Sequence, residues 1–122
     1  ALTDMDRAIS MHPDDGWAMA YRGELHRRLK RYHASLTDFT GALAMLPDQP
    51  SILSQRGETH RLLGMYREAV DDFSRSLALR PDDIWTLATR GQVFRTMGRY
   101  EEALEDFSRV IERSPNYAWA YA

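Results

Sequence analysis

One interval constrains this 122-residue chain more than any other feature: Pro13, Pro47, Pro81 and Pro115 stand 34 residues apart each time. Self-similarity at that period marks a pair of helices that stacks on copies of itself. A single pair cannot bury its apolar side, so each copy must cover its neighbour, and the outcome is a quasi-one-dimensional α-solenoid. Counting from the prolines aligns Gly23, Gly57 and Gly91, then Tyr32, Tyr66 and Tyr100, then Ser35, Ala69 and Ala103, then Phe39, Phe73 and Phe107. The small residues let two helix axes approach while the aromatic rings fill the space around them. Gly64 and Gly98 suit the left-handed cap that ends a helix, and Lys30 in the first copy predicts a strained or differently shaped turn. After the prolines come Asp14 and Asp15, Asp48, and Asp82 and Asp83, where carboxylates favour the positive end of the next helix.

The apolar spacing agrees. Ala69, Val70, Phe73 and Leu77 form a helical stripe, as do Ala103, Leu104, Phe107 and Ile111, and strand-like alternation is missing. These signals predict first helices over 16–29, 50–63 and 84–97, and second helices over 32–45, 66–79 and 100–113. Residues 1–13 align with a second helix only, and 116–122 align with the start of another first helix, Trp119 matching Trp85. The expected organisation is therefore a partial repeat over 1–15, repeats over 16–49, 50–83 and 84–117, and a further start over 118–122. Such a chain reads as a piece of a longer array, with no polar capping helix at either end.

Composition narrows the function. Hydrophobic content of 43% beside 28% charged residues is ordinary for a soluble globular protein. A net charge of −2 argues against a general nucleic-acid binder. No stretch approaches the run of about 18 apolar residues that a membrane helix needs. The N-terminus lacks the layout of a signal peptide, and with zero cysteines the compartment stays open, cytoplasmic being the default expectation. Neither a Ser-His-Asp order, HExxH, a P-loop nor a glycine-rich fingerprint is present, so no catalysis, cofactor or metal site is expected. Carboxylate pairs such as Glu101–Glu102 and Asp71–Asp72, opposite the apolar stripe or at its edge, read as solvated charges rather than an acid/base dyad. His26 and His60, one repeat apart, read as half-buried stacking positions rather than ligands.

Arg22, Arg56 and Arg90 each precede the repeated glycine and lie 16 residues before Asp38, Asp72 and Asp106. A guanidinium can bridge a partly buried carboxylate with two hydrogen bonds, which predicts a repeated structural ion pair. The pair can form within a repeat or with the preceding one, where Asp4 is available.

Gly91, Phe94, Tyr100, Ala103, Phe107 and Pro115, together with their aligned copies, resemble the tetratricopeptide repeat family over the whole chain. The sequence departs from the family where Arg22, Arg56 and Arg90 replace a large apolar residue and where His26 and His60 replace an aromatic. The resemblance implies an all-α, right-handed superhelical solenoid and a non-catalytic scaffold whose first helices line a concave groove for a peptide or protein segment. One helical face of the first helices is then the binding surface: Trp17, Ala20, Glu24, Arg27, Arg28 and Arg31; Ser54, Glu58 and Arg61; Trp85, Ala88, Gln92 and Arg95. Trp and Arg are the residue types richest in binding hot spots, although Trp17 and Trp85 can also pack against an adjoining helix. Glu24 and Glu58 lie one turn before Arg27 and Arg61, so internal pairing can silence part of that arginine ladder. The family's carboxylate clamp uses lysine and asparagine in the groove, and Ala20, Ser54, Ala88, Glu24, Glu58 and Gln92 at the matching places do not support it.

Two alternatives accompany this reading. Exposed repeat ends can stack head to tail in self-association. Arg27, Arg28, Lys30 and Arg31 make a basic patch for an anion or nucleic acid, but cations near a helix C-terminus are favoured by its dipole without any ligand.

Overall fold

Glycine and phenylalanine 16 residues apart set how each helix pair closes. In the computed structural model, which describes residues 2–11 and 15–114, an added Cβ on Gly57 would stand 2.7 Å from the Phe73 ring. The same construction puts Gly23 at 3.0 Å from Phe39 and Gly91 at 3.1 Å from Phe107. Only a hydrogen in place of a side chain lets the ring lie against the facing backbone, and Phe39 and Phe73 are fully buried there. Pro13, Pro115, Trp119 and the expected helix start over 118–122 lie outside the described residues.

Among the described residues the regular structure is helical throughout: α1 (Leu2–Met11), α2 (Gly16–Arg28), α3 (Tyr32–Met45), α4 (Pro50–Leu62), α5 (Tyr66–Leu79), α6 (Ile84–Thr96) and α7 (Tyr100–Arg113). The chain is thus an all-α array in which α2/α3, α4/α5 and α6/α7 form antiparallel pairs. The second helices fall on their expected bounds, and the first helices stop one residue early because Leu29, Leu63 and Met97 serve as C-caps. None of these helices is long and apolar enough to cross a membrane.

The helix ends follow local chemistry. Asp15 accepts a hydrogen bond from the Ala18 amide at 3.1 Å, and Asp83 caps α6 in the same way. Before α4 the cap position holds Gln49, which makes no side-chain bond, and Pro50 at the first helical turn supplies the preset φ instead. Lys30 adopts φ 63°, beside 76° at Gly64 and 80° at Gly98. Its turn closes with the same bonds: the Arg31 amide reaches the His26 carbonyl at 2.8 Å, as Met65 reaches His60 and Arg99 reaches Phe94. The turn is therefore not reshaped. The lysine carries the left-handed strain that glycine avoids.

Buried hydroxyls cross between neighbouring pairs. Ser35 Oγ lies 3.2 Å from Thr59 Oγ1, joining α3 to α4. Ser54 Oγ lies 2.7 Å from Ser76 Oγ and 3.0 Å from Thr86 Oγ1, joining α4 to α5 and α6. These contacts satisfy polar groups that burial would otherwise penalise, and they hold one register between pairs.

Candidate functional site

The first helices carry two kinds of surface. The side turned toward the second helices holds the ion pairs. Arg56 donates from Nε to Asp72 Oδ2 at 2.9 Å and from a terminal nitrogen to Oδ1 at 2.7 Å. Arg90 grips Asp106 with bonds of 2.8 and 2.7 Å, and Arg22 grips Asp38 with bonds of 2.8 and 2.6 Å. All three expected pairs form, each bidentate as a planar guanidinium allows. The remaining terminal nitrogen reaches backwards: Arg22 to Asp6 at 3.0 Å and Arg90 to Ser74 Oγ at 3.1 Å. The acceptor from the preceding helix is thus Asp6, two residues beyond the expected Asp4, because the bond reaches 16 residues in either direction.

His60 Nδ1 stands 2.8 Å from Asp72 Oδ2. An ionised carboxylate only accepts, so this ring nitrogen carries the proton and donates. Burial pushes the Asp72 carboxyl up, but the hydrogen bonds from His60 and Arg56 outweigh it and hold the group below the usual carboxylate range. The hydrogen bond to Asp38 raises the Arg22 guanidinium above its ordinary value, against the effect of burial. A cleft of about 490 Å³ lies over this cluster, lined by Arg56, His60, Glu68, Asp71, Asp72, Ser74 and Arg75. Its Arg56, His60 and Asp72 groups are already engaged with one another.

On the opposite side, three first helices converge. Arg27 from α2, Ser51, Ser54, Gln55 and Glu58 from α4, and Trp85 from α6 line a cleft of about 270 Å³. Trp85 is 41% exposed while its ring edge meets Phe73, centroids 6.1 Å apart at 77°. Trp17 is 40% exposed and lies 6.5 Å from the Tyr21 ring. Each tryptophan therefore both packs and faces solvent. Arg27 and Glu58 are half-buried, and Glu58 holds Arg61 Nε, whose guanidinium is raised above its ordinary value chiefly by that bond.

The other expected site residues divide. Ala20, Ser54 and Ala88 are 3%, 6% and 0% exposed, so the two alanines pack between helices rather than face a partner. Ser54 borders the cleft while its hydroxyl bonds inward. Glu24 pairs with Arg28 at 2.9 Å rather than with Arg27. Arg31 and Arg95 are exposed, and Gln92 is half-buried. The 27–31 patch is divided in the same way: Arg28 is engaged by Glu24, and Arg27 belongs to the cleft.

Sequence reasoning missed Gln55. It stands eight residues beyond Pro47, on the stripe shared by Ser51 and Glu58, and its register mates are Tyr21 and Thr89. Two polar atoms of this cleft's lining are buried without a hydrogen-bond partner: Arg27 Nε and Gln55 Oε1.

Comparison with known proteins fits this architecture. The tetratricopeptide repeat family matches residues 48–116 with one profile and 1–50 with another, and the chain belongs to that family. Among solved structures it is similar to MamA, with a TM-score of 0.95 at 15% identity, covering 98% of this chain and 70% of that one. A tetratricopeptide repeat protein from Parabacteroides merdae superposes with a TM-score of 0.91 at 23% identity, covering 98% of this chain. This chain spans 48% of the length of that protein and 66% of a second MamA chain. The first such domain of Spaghetti (RPAP3), bound to the HSP90 peptide SRMEEVD, has a TM-score of 0.83 at 22% identity over 87% of this chain and 84% of that one. No curated protein sequence matches the chain significantly. Membership in this family makes the chain a protein–protein interaction module.

Proposed function

We propose that this module is a non-catalytic scaffold that docks a peptide or protein segment along the face of α2, α4 and α6. The observation that carries the reading is the convergence of Arg27, Ser51, Ser54, Gln55, Glu58 and Trp85, from three separate helices, on one cleft. Exposed indole area beside arginine is the chemistry of interface hot spots. That the Spaghetti domain, with the same fold, binds a short peptide supports the reading. The test is a binding assay against peptides selected on the intact chain. Trp85→Ala is expected to cost about 2 kcal/mol or more of binding, while the exposed Glu101→Ala on α7 leaves affinity unchanged. Equal losses from the two substitutions, or none from Trp85→Ala, place the site elsewhere.

A second reading, end-on self-association, is favoured by α7. Leu104 is 65% exposed and Ile111 37%, whereas Val70 and Leu77, at the same positions of α5, are 9% and 7% exposed under the next helix. Sedimentation over a concentration series tests it: weak association that Leu104→Lys abolishes supports stacking, and a monomer at high concentration removes it.

A further inference from the structure

Charge is sorted by helix type. The first helices α2, α4 and α6 carry seven arginines and two glutamates, whereas α3, α5 and α7 carry nine carboxylates and four arginines. Arg22, Arg56 and Arg90 are taken up by the buried aspartates, which leaves Arg27, Arg28, Arg61 and Arg95 on the first helices. Glu24 engages Arg28 and Glu58 engages Arg61, but the acids lie beneath. They are 31% and 17% exposed, against 68% and 34% for their arginines. In the third copy Gln92 stands at the glutamate position, and the exposed Arg95 holds the place on α6 that the cleft-lining Arg27 holds on α2. Among the described residues neither Arg27 nor Arg95 meets a carboxylate. The net charge of −2 therefore conceals a groove whose outermost charged groups are guanidiniums.

Such a surface draws in an anionic partner and steers its approach. Which anion fits depends on how the cations are spread. A phosphate is favoured where several donors converge on its oxygens. Here the two unpaired arginines stand on separate helices with α4 between them, and a polyphosphate chain would also meet Glu24 and Glu58. A single terminal carboxylate can meet only one of the two. Side-chain carboxylates of an extended segment are spread along the chain, one charge apiece, and each matches one planar guanidinium. Trp85, 41% exposed in the same cleft as Arg27, gives an apolar side chain of that segment its seat.

We infer that the groove takes an acidic stretch of a partner protein: aspartate or glutamate side chains pair with Arg27 and Arg95, and a neighbouring apolar side chain packs on Trp85. The inference rests on the groove reading above and adds the charge of the partner to it.

Random peptides displayed with both ends fused, so that no terminal carboxylate is free, are selected on the intact chain. The tightest is synthesised with blocked ends as the probe. Selected sequences are expected to be rich in Asp and Glu, and exchanging those of the probe for Asn and Gln should weaken binding about tenfold. Arg27→Gln with Arg95→Gln should weaken the acidic probe by a similar factor and the neutralised probe hardly at all. Both losses should fade in about 1 M salt, where exposed charges are screened. Arg67→Gln with Arg75→Gln, which removes the same charge from exposed positions of α5, should leave binding unchanged. Arg95→Gln alone, at an exposed position, keeps the test decisive if the double variant loses helicity.

Neutral or basic selected peptides, or an acidic probe indifferent to the Arg27 and Arg95 changes while Trp85→Ala abolishes binding, overturn the inference and leave the groove reading standing. Oligothymidylate that binds more tightly than the probe, or tighter binding when a probe Glu becomes phosphoserine, makes this a phosphate site and overturns it too. So does sedimentation in which copies associate at low salt and separate on Arg95→Gln while no peptide is selected, because the occupant is then a second copy. No peptide and no association, or peptides indifferent to Trp85→Ala, remove the groove reading and this inference with it.

Discussion

On the side of α2, α4 and α6 that meets the second helices, the same residues recur in every pair. Gly23, Gly57 and Gly91 receive a phenylalanine ring, and Arg22, Arg56 and Arg90 grip an aspartate with nearly the same bond lengths. On the opposite side Arg27, Arg61 and Arg95 recur, but at the other positions chemistry varies between copies: Trp17, Ser51 and Trp85; Tyr21, Gln55 and Thr89; Glu24, Glu58 and Gln92. Packing imposes one answer wherever identical helices meet, because a ring and a backbone fit in one way. The groove side is free of that demand, so its variation can encode what the chain binds.

The comparison breaks most readily at the ring. Phe73→Ala should cost about 3–5 kcal/mol, read as a fall in urea midpoint with the helical signal intact at zero denaturant, whereas Trp85→Ala, half exposed, should cost far less stability. A Phe73 variant as stable as the natural chain would mean that the repeated side does not carry the fold.

Next in size is the ion pair. Arg56→Leu leaves Asp72, 3% exposed, beside an apolar side chain. The expected loss is about 2–3 kcal/mol, below the range for a fully buried pair because the arginine keeps some contact with water. Arg56→Leu combined with Asp72→Leu should recover most of it, and a double-mutant cycle measures the coupling.

Acid sharpens the same point. The folded Asp72 carboxyl is held below its ordinary 3.8, so its contribution is fully present above that pH and is lost as pH falls through the folded value. Urea midpoints taken from pH 6 downward, roughly to pH 2, should fall less steeply in Asp72→Asn than in the natural chain. Equal slopes would show that this carboxylate is not linked to folding.

The smallest expected effect is a gain. Lys30→Gly should raise stability by about 1 kcal/mol by relieving the left-handed backbone, visible as a higher thermal midpoint. The same change at the adjacent exposed Arg31, whose φ is −94°, should not do so.

The repeated side was legible in sequence because repetition displays it. Proline spacing located the helices, and the 16-residue offset between Arg22 and Asp38 was itself the register of an antiparallel pair. The groove was legible only in outline. Trp17, Arg27 and Trp85 stand out by type, whereas Gln55 shares no chemistry with Tyr21 or Thr89, so alignment hides it. Ala20 and Ala88 share a helical face with the tryptophans on a wheel, yet sit at its edge, where the neighbouring helix covers them. A wheel knows angles about one axis and nothing of the helix alongside.

The guanidinium groups also have a mechanical meaning. Arg22 ties α1 to α3 through Asp6 and Asp38, and Arg90 ties α5 to α7 through Ser74 and Asp106. These crossing links lace second helices of successive pairs together. Asp6 is 59% exposed, so that lace can open to water and close again without baring the phenylalanines beneath. At Arg56 the backward position holds Thr40, a shorter and uncharged side chain. That joint is held instead by the buried hydroxyl contact of Ser35 with Thr59 between α3 and α4.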